Sequence, residues 1–263
     1  MDTNPTVALC QAIESGDTLR IRTLLNNQAG LENAVVAEGG VTGIRYAAEK
    51  GNREAIEAFL AASVDLNQAS GGRVPLHDAV VHAPVPIIKF LLERGADPNL
   101  TTSDGETPIF LAARSRHLLD EADEQVVPHL LLEFNAFLDV HSAAALGRFE
   151  DVNSILRANP GAIEDSPRPL DILMNGTVLR SSKLCSLLLD YGANPNGEIQ
   201  SLQSPLKMLL SIVPCDEEVL QSLLIHGAKP TIRTDDGILT ASMYAKLMNQ
   251  SSSTVHILES SEL

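Results

Sequence analysis

The stretch Val74 to Asn99, VPLHDAVVHAPVPIIKFLLERGADPN, constrains the fold more than any other, because pieces of it recur along the chain. Pro75 suits a first helical position, where a missing N–H costs nothing and φ is already set. Leu76, Ala79 and Val80 recur at helical spacing and give that helix one apolar side. Pro84 and Pro86 end it and restrict the chain leading onward. Ile87, Ile88, Leu91 and Leu92 predict the apolar stripe of a second helix. Gly95 suits the left-handed residue that closes a helix, and Asp97-Pro98-Asn99 is turn chemistry.

The helix start returns as Thr107-Pro108-Ile109-Phe110-Leu111-Ala112-Ala113 and, degenerately, as Thr42-Gly43-Ile44-Arg45-Tyr46-Ala47-Ala48. The exit turn returns as Gly192-Ala193-Asn194-Pro195-Asn196, as Gly227-Ala228-Lys229-Pro230, and loosely as Ser63-Val64-Asp65-Leu66-Asn67. Second-helix apolar pairs return at Leu24-Leu25, Phe59-Leu60, Leu131-Leu132, Ile155-Leu156, Leu188-Leu189, Leu223-Leu224 and Ile257-Leu258. Aligned, these pieces place unit starts near Val7, Thr42, Val74, Thr107, Leu138, Arg168, Ser204 and Leu239. The spacing is roughly 30 to 36 residues, around the period of about 33 known for one repeat class.

VPLHDAV and TPIFLAA resemble the TPLHxAA start of the ankyrin repeat, and GADPN and GANPN resemble its GADVN exit. The resemblance implies an all-α fold, a solenoid of stacked helix–turn–helix units with short hairpin or loop fingers between them. About seven to eight units fill residues 1–263 as a single ankyrin-repeat domain, with the first and last as caps. After Leu132 the chain runs through EFNAFLDV into HSAAALG, too short for a finger. The reading therefore has two sub-arrays, approximately 1–137 and 138–263, with a kink expected near Phe137. Between Ala113 and Val126 the run RSRHLLDEADEQ is an insertion, expected to project as a charged loop or extra turn. Loops between helices lengthen near Asn175 to Ser182 and near Val213 to Glu217.

The formal net charge is −15, with acidic residues in both halves, which makes an acidic solvated surface. A cationic stripe able to displace phosphate counterions is lacking, so no nucleic-acid partner is expected. A protein partner with a basic surface is favoured electrostatically. Three well-separated cysteines, Cys10, Cys185 and Cys215, read as reduced packing residues. No leader precedes the first unit and no apolar run reaches membrane-spanning length. These features place the chain inside the cell, in cytoplasm or nucleus, away from membranes. Asn175-Gly176-Thr177 and Asn249-Gln250-Ser251 match the glycosylation sequon by chance on that reading. The oligomeric state is not encoded in any of these patterns.

No phosphate-binding glycine loop, zinc-protease helix, nucleophile elbow or paired-cysteine motif occurs, so catalytic, cofactor and metal residues are all expected to be none. His77 and His141 stand at or beside the histidine of the resembled start, which implies a structural hydrogen bond to a neighbouring loop. His129 and His226 read as surface or packing residues. Arg45 replaces that histidine in the second unit, altering the device there. The resemblance implies that partners are held by the fingers and the groove face of the first helices. Carried over by position, this implicates Glu49, Lys50, Arg73, His82, Asp104, Glu106, Arg114 and Arg116. The expected function is a non-enzymatic protein–protein interaction module: adaptor, inhibitor or assembly subunit. A rival reading is an atypical enzyme or small-molecule binder using His82, Asp104, Glu106, Arg114 and Arg116. The acidic run Asp120 to Glu124 reads as a solvated loop rather than a dock for a basic peptide.

Overall fold

The computed structural model describes residues 4–115, 126–165, 172–197, 203–235 and 237–262. The insertion residues 116–125, which include Arg116, His117 and the acidic run, lie outside the described residues. The chain forms two compact units, Met1–Leu138 and Asp139–Leu263.

In the first unit, helices come in pairs: α1 (Pro5–Ser15) with α2 (Thr18–Asn27), and α3 (Gly43–Glu49) with α4 (Arg53–Ala61). The pairs α5 (Pro75–His82) with α6 (Val85–Glu93), and α7 (Pro108–Arg114) with α8 (Val126–Glu133), follow. Each first helix packs on the next, α1 on α3, α3 on α5 and α5 on α7. Among the second helices, α2 packs on α4 and α6 on α8. Phe59, Leu76, Ile88, Leu91, Ile109 and Leu131 are fully buried between them. These are the apolar positions at helical spacing in the sequence, so packing of short amphipathic helices on their neighbours supplies the core.

The second unit contains α9 (Val140–Ala145), α10 (Phe149–Ala158), α11 (Ser182–Asp190), α12 (Pro205–Leu210), α13 (Glu217–Ile225), α14 (Ala241–Leu247) and α15 (Ser252–Ser261). Here α11 packs on α13, α13 on α15 and α12 on α14. Residues 172–181, ahead of α11, show turns and a 3-10 helix, Val178–Arg180, in the stretch where a lengthened loop is expected; the start of the sixth repeat near Arg168 lies outside the described residues.

Helix ends are set locally. Asn4, Asp17, Thr107, Asp139, Ser181, Ser204 and Ser251 each accept a backbone N–H at the start of a helix. Gly95, Gly192 and Gly227 all take φ near +90° after a second helix, where a side chain would be strained. The degenerate exits place Ser63 (φ 64°) and Asn135 (φ 65°) there.

The connections between pairs are not purely loops. β1 (Val35–Ala37) pairs antiparallel with β2 (Val41–Thr42), and β3 (Thr231–Thr234) pairs with β4 (Gly237–Thr240). The all-α expectation therefore holds for the packed layers, while two fingers are short β-ribbons. Residues 134–139 alone join α8 to α9, without a ribbon or bridge.

The exit turns hold successive repeats together by an asparagine ladder. Asp65, Asp97 and Asn194 accept the N–H of the asparagine two residues on, at 2.8, 2.8 and 2.9 Å, fixing the turn. Each of those asparagines then reaches into the following repeat. Asn67 donates to the Gly95 carbonyl (3.0 Å) and accepts from Asp97 N–H (2.8 Å). Asn99 does the same with Asn135 (3.1 Å) and Phe137 (2.6 Å). Asn196 does so with Gly227 and Lys229, both at 2.8 Å.

Candidate partner-binding site

Three fingers, residues 34–42, 64–74 and 96–107, stand next to one another in the first unit. Their backbones touch. Ser70 donates its hydroxyl to the Gly40 carbonyl, and Ser103 N–H donates to the Gly72 carbonyl at 3.0 Å. At Gly71 (φ 55°) an added Cβ would lie 1.9 Å from the Gly39 oxygen, so only glycine permits this approach. Within the third finger, Thr102 Oγ1 accepts the N–H groups of Asp104 (3.3 Å) and Glu106 (3.1 Å). That hydroxyl fixes the tip and sets where Glu106 points.

His77 ties α5 to the next finger. Its Nδ1 accepts Val74 N–H at 3.0 Å, so Nε2 carries the proton and donates to the Leu100 carbonyl at 2.9 Å. Burial pushes its protonation below the ordinary histidine range; Arg73 and Arg45 add to this, and the Leu100 carbonyl and Asp78 oppose it. The structural role expected for this histidine is the one observed.

Arg45, one repeat earlier, performs the same task with more donors. Its Nη1 donates to the Ser70 carbonyl at 2.5 Å, the finger contact that His77 makes to Leu100. The remaining donors form a fork on Asp78 of the next repeat, Nε to Oδ2 at 2.6 Å and Nη2 to Oδ1 at 3.1 Å. The pair is nearly dry, with side chains 5% and 8% exposed. The geometry is the bidentate guanidinium–carboxylate match that lysine cannot provide.

From this pair a line of alternating charge runs outward. Arg73 Nη1 lies 3.4 Å from Asp78 Oδ1, and its Nη2 lies 3.9 Å from Glu106 Oε2. Glu106 Oε1 accepts from Arg114 Nη1 at 3.0 Å. Arg114 also sits 5.5 Å above the Phe110 ring, a cation–π contact. Three repeats are thus joined by Arg45, Asp78, Arg73, Glu106 and Arg114.

A second cluster lies at the end of α3. Lys50 pairs with Glu49 at 3.0 Å and sits 5.0 Å over the Tyr46 ring. Tyr46 donates its hydroxyl to Glu14 at 2.5 Å, and that hydrogen bond pushes the phenol up to about 12. Glu49, His82 and Arg114 are the last residues of α3, α5 and α7.

The sequence-predicted site residues therefore separate into groups. Arg73, Glu106 and Arg114 form one cluster, and Glu49 with Lys50 another. His82 and Asp104 are exposed, and among the described residues no ion pair or side-chain hydrogen bond joins them to the rest. Arg116 lies outside the described residues. Sequence reasoning missed Asp78 as the member that joins Arg45 to Arg73. The signal was present: an arginine at the histidine position of one unit and an aspartate right after the histidine of the next. His226, read as a surface or packing residue, bridges repeats, with Nδ1 2.8 Å from the Ser222 carbonyl of its own helix and Nε2 3.3 Å from Asp190 of α11. Among the described residues no group of His, Cys, Asp and Glu is arranged to hold a metal, and no helix is long and apolar enough to cross a membrane.

Comparison with known proteins follows the same lines. Residues 9–102 match the family model described as ankyrin repeats in three copies. The chain is 28% identical over 180 residues to an ankyrin repeat and KH domain-containing protein of Caenorhabditis elegans, covering 67% of this chain and 7% of that protein. It is 25% identical over 142 residues to an ankyrin repeat-containing protein of Schizosaccharomyces pombe, covering 54% and 67% respectively. It is 25% identical over 172 residues to human Rabankyrin-5, covering 62% and 14%. The matched stretch thus spans a small part of the worm and human proteins and two thirds of the yeast one. Residues 9–102, which carry the His77, Gly95, Asn67 and Asn99 contacts of the first unit, are thus similar to three ankyrin repeats.

Proposed function

We propose that the chain is a non-enzymatic protein-binding module, serving as an adaptor, an inhibitor or a subunit of an assembly. Ankyrin repeats are in general protein–protein interaction modules, which supports the coarse reading. The finer reading is a solenoid of about seven to eight repeats that takes its partner across the fingers and the groove face of the first helices. One observation carries it: the three fingers of the first unit are hydrogen-bonded in series, the Ser70 hydroxyl to the Gly40 carbonyl and Ser103 N–H to the Gly72 carbonyl, so their exposed side chains are held in fixed relation before a partner arrives. A preordered surface docks with less loss of side-chain and loop freedom. The partner meets Glu49, Lys50, Arg73, His82, Asp104, Glu106, Arg114 and Arg116. With a net charge of −15, the chain favours approach of a partner with a basic face, inside the cell.

The test is affinity capture from a native lysate with two reversed variants. Glu49→Arg with Asp104→Arg alters the finger side, and Lys89→Glu alters the outer side of α6. Loss of captured proteins with the first variant alone supports the reading. Equal capture by both variants and the parent chain refutes it.

A further inference from the structure

We infer that the charge line in the first unit anchors a single carboxylate of the bound partner, received between Arg73 and Arg114. The inference rests on the protein-binding reading above and names the chemistry of one contact within it.

The line holds three guanidinium groups, on Arg45, Arg73 and Arg114, against two carboxylates, on Asp78 and Glu106. The acceptors are not shared evenly. Arg45 takes both oxygens of Asp78, at 2.6 and 3.1 Å. Arg114 takes Glu106 Oε1 at 3.0 Å. Among the described residues Arg73 has only the outlying contacts, 3.4 Å to an oxygen that Arg45 already uses and 3.9 Å to Glu106 Oε2. Charge-assisted N–H···O bonds between arginine and carboxylate run at about 2.7–2.9 Å, so Arg73 makes no strong one here. Its side chain is 31% exposed, and that of Arg114 is 51% exposed. Among the described residues the cluster therefore holds one more positive than negative group, on exposed planar forks, in a chain that is acidic elsewhere.

The ligand that completes this arrangement is a monoanion with two oxygens, the aspartate or glutamate side chain or the C-terminal carboxylate of a peptide. A phosphate carries about −1.5 to −2 at neutral pH and would overshoot the surplus, with Asp78 and Glu106 beside Arg73. The two scales of charge then have different jobs. The net charge of −15 draws in a basic partner from a distance, and the buried-rooted arginine line fixes where its one acidic residue lands.

The chain is labelled with 15N and the arginine Nε–Hε signals are followed by NMR, with Arg73 assigned from Arg73→Lys. Three probes are titrated at matched ionic strength: N-acetyl-aspartate methylamide, its neutral isostere N-acetyl-asparagine methylamide, and N-acetyl-phosphoserine methylamide. A peptide ending in a free carboxylate distinguishes the terminal source from the side-chain source. Expected is a saturable shift of the Arg73 and Arg114 signals with the carboxylate probes, at least tenfold weaker with the neutral one. The shift is lost in Arg73→Gln, whose ion contacts in the fold are long, and is reduced in Arg73→Lys, which keeps the charge and loses the fork. Equal response to the aspartate and asparagine probes overturns the inference, and so does tighter binding of the phosphoserine probe. Undiminished partner capture by Arg73→Gln, with no aspartate-induced shift in the parent chain, removes the anchor and leaves the protein-binding reading standing.

Discussion

Replacing Asp78 by alanine strands a buried guanidinium. Arg45 is 4% exposed and Asp78 is 6% exposed, and the fork between them is satisfied at 2.6 and 3.1 Å. Removing one member of such a pair costs about 3–5 kcal/mol, because the remaining charge stays in a medium that solvates it poorly. Arg45 keeps its bond to the Ser70 carbonyl, so the lower end, about 3 kcal/mol, is expected. Arg45→Met strands the Asp78 carboxylate instead, but Arg73 stands 3.4 Å away and softens the loss. The double variant removes both charges together. What remains is the orphaned Ser70 carbonyl and a partly filled space, worth about 1–2 kcal/mol. The cycle therefore predicts a coupling of at least about 2 kcal/mol between the two sites. Urea unfolding followed by circular dichroism reads it, with slopes compared so that midpoints reflect stability. A loss under about 1 kcal/mol for Asp78→Ala, or a double variant that costs the sum of the singles, refutes the reasoning.

Further outcomes follow from other contacts. Burial holds His77 below the ordinary histidine range, so between its folded value and the unfolded value of about 6.5 the unfolded chain binds the extra proton. Stability therefore falls as pH drops through that window; the urea midpoint should drop more from pH 7.5 to 5.5 in the parent than in His77→Gln, and equal drops contradict this. Asn99→Ala removes one donor and one acceptor facing the Asn135 carbonyl and Phe137 N–H, and should cost about 1–2 kcal/mol in the same assay. Ser63→Gly relieves a left-handed residue at φ 64° and should stabilise by up to about 1 kcal/mol, with no gain contradicting the strain. Glu14→Gln should return the Tyr46 phenol from about 12 toward its ordinary value, read by ultraviolet titration of tyrosinate; an unchanged curve contradicts the hydrogen-bond cause.

Much of the fold was legible because each repeat carries its own local instructions. Pro75 and Pro108 start first helices, and Gly95, Gly192 and Gly227 close second helices where their spacing placed them. His77 was legible for the same reason, since its two nitrogens serve neighbours set by the repeat period. The asparagine ladder was not. Asn67, Asn99 and Asn196 read as turn residues, and nothing local says that the same amide also spans to the next repeat.

For the site, the sequence supplied the residues but not their pairing. Arg73, Glu106 and Arg114 were picked out by position as charges of one groove, and the distances show which of them pair. Pairing depends on side-chain direction across repeats, which periodicity does not specify. Arg45 was seen only as a departure from the repeat pattern. Its role emerged from the dry fork on Asp78, which makes it the root of the whole line.

Hydrogen–deuterium exchange on the chain bound to a captured partner tests the surface assignment most directly. Binding across the finger side predicts slowed exchange in residues 45–50, 70–73 and 103–107, with the second helices α2, α4 and α6 unchanged. Slowed exchange confined to those second helices, with the finger tips exchanging as fast as in the free chain, would contradict it.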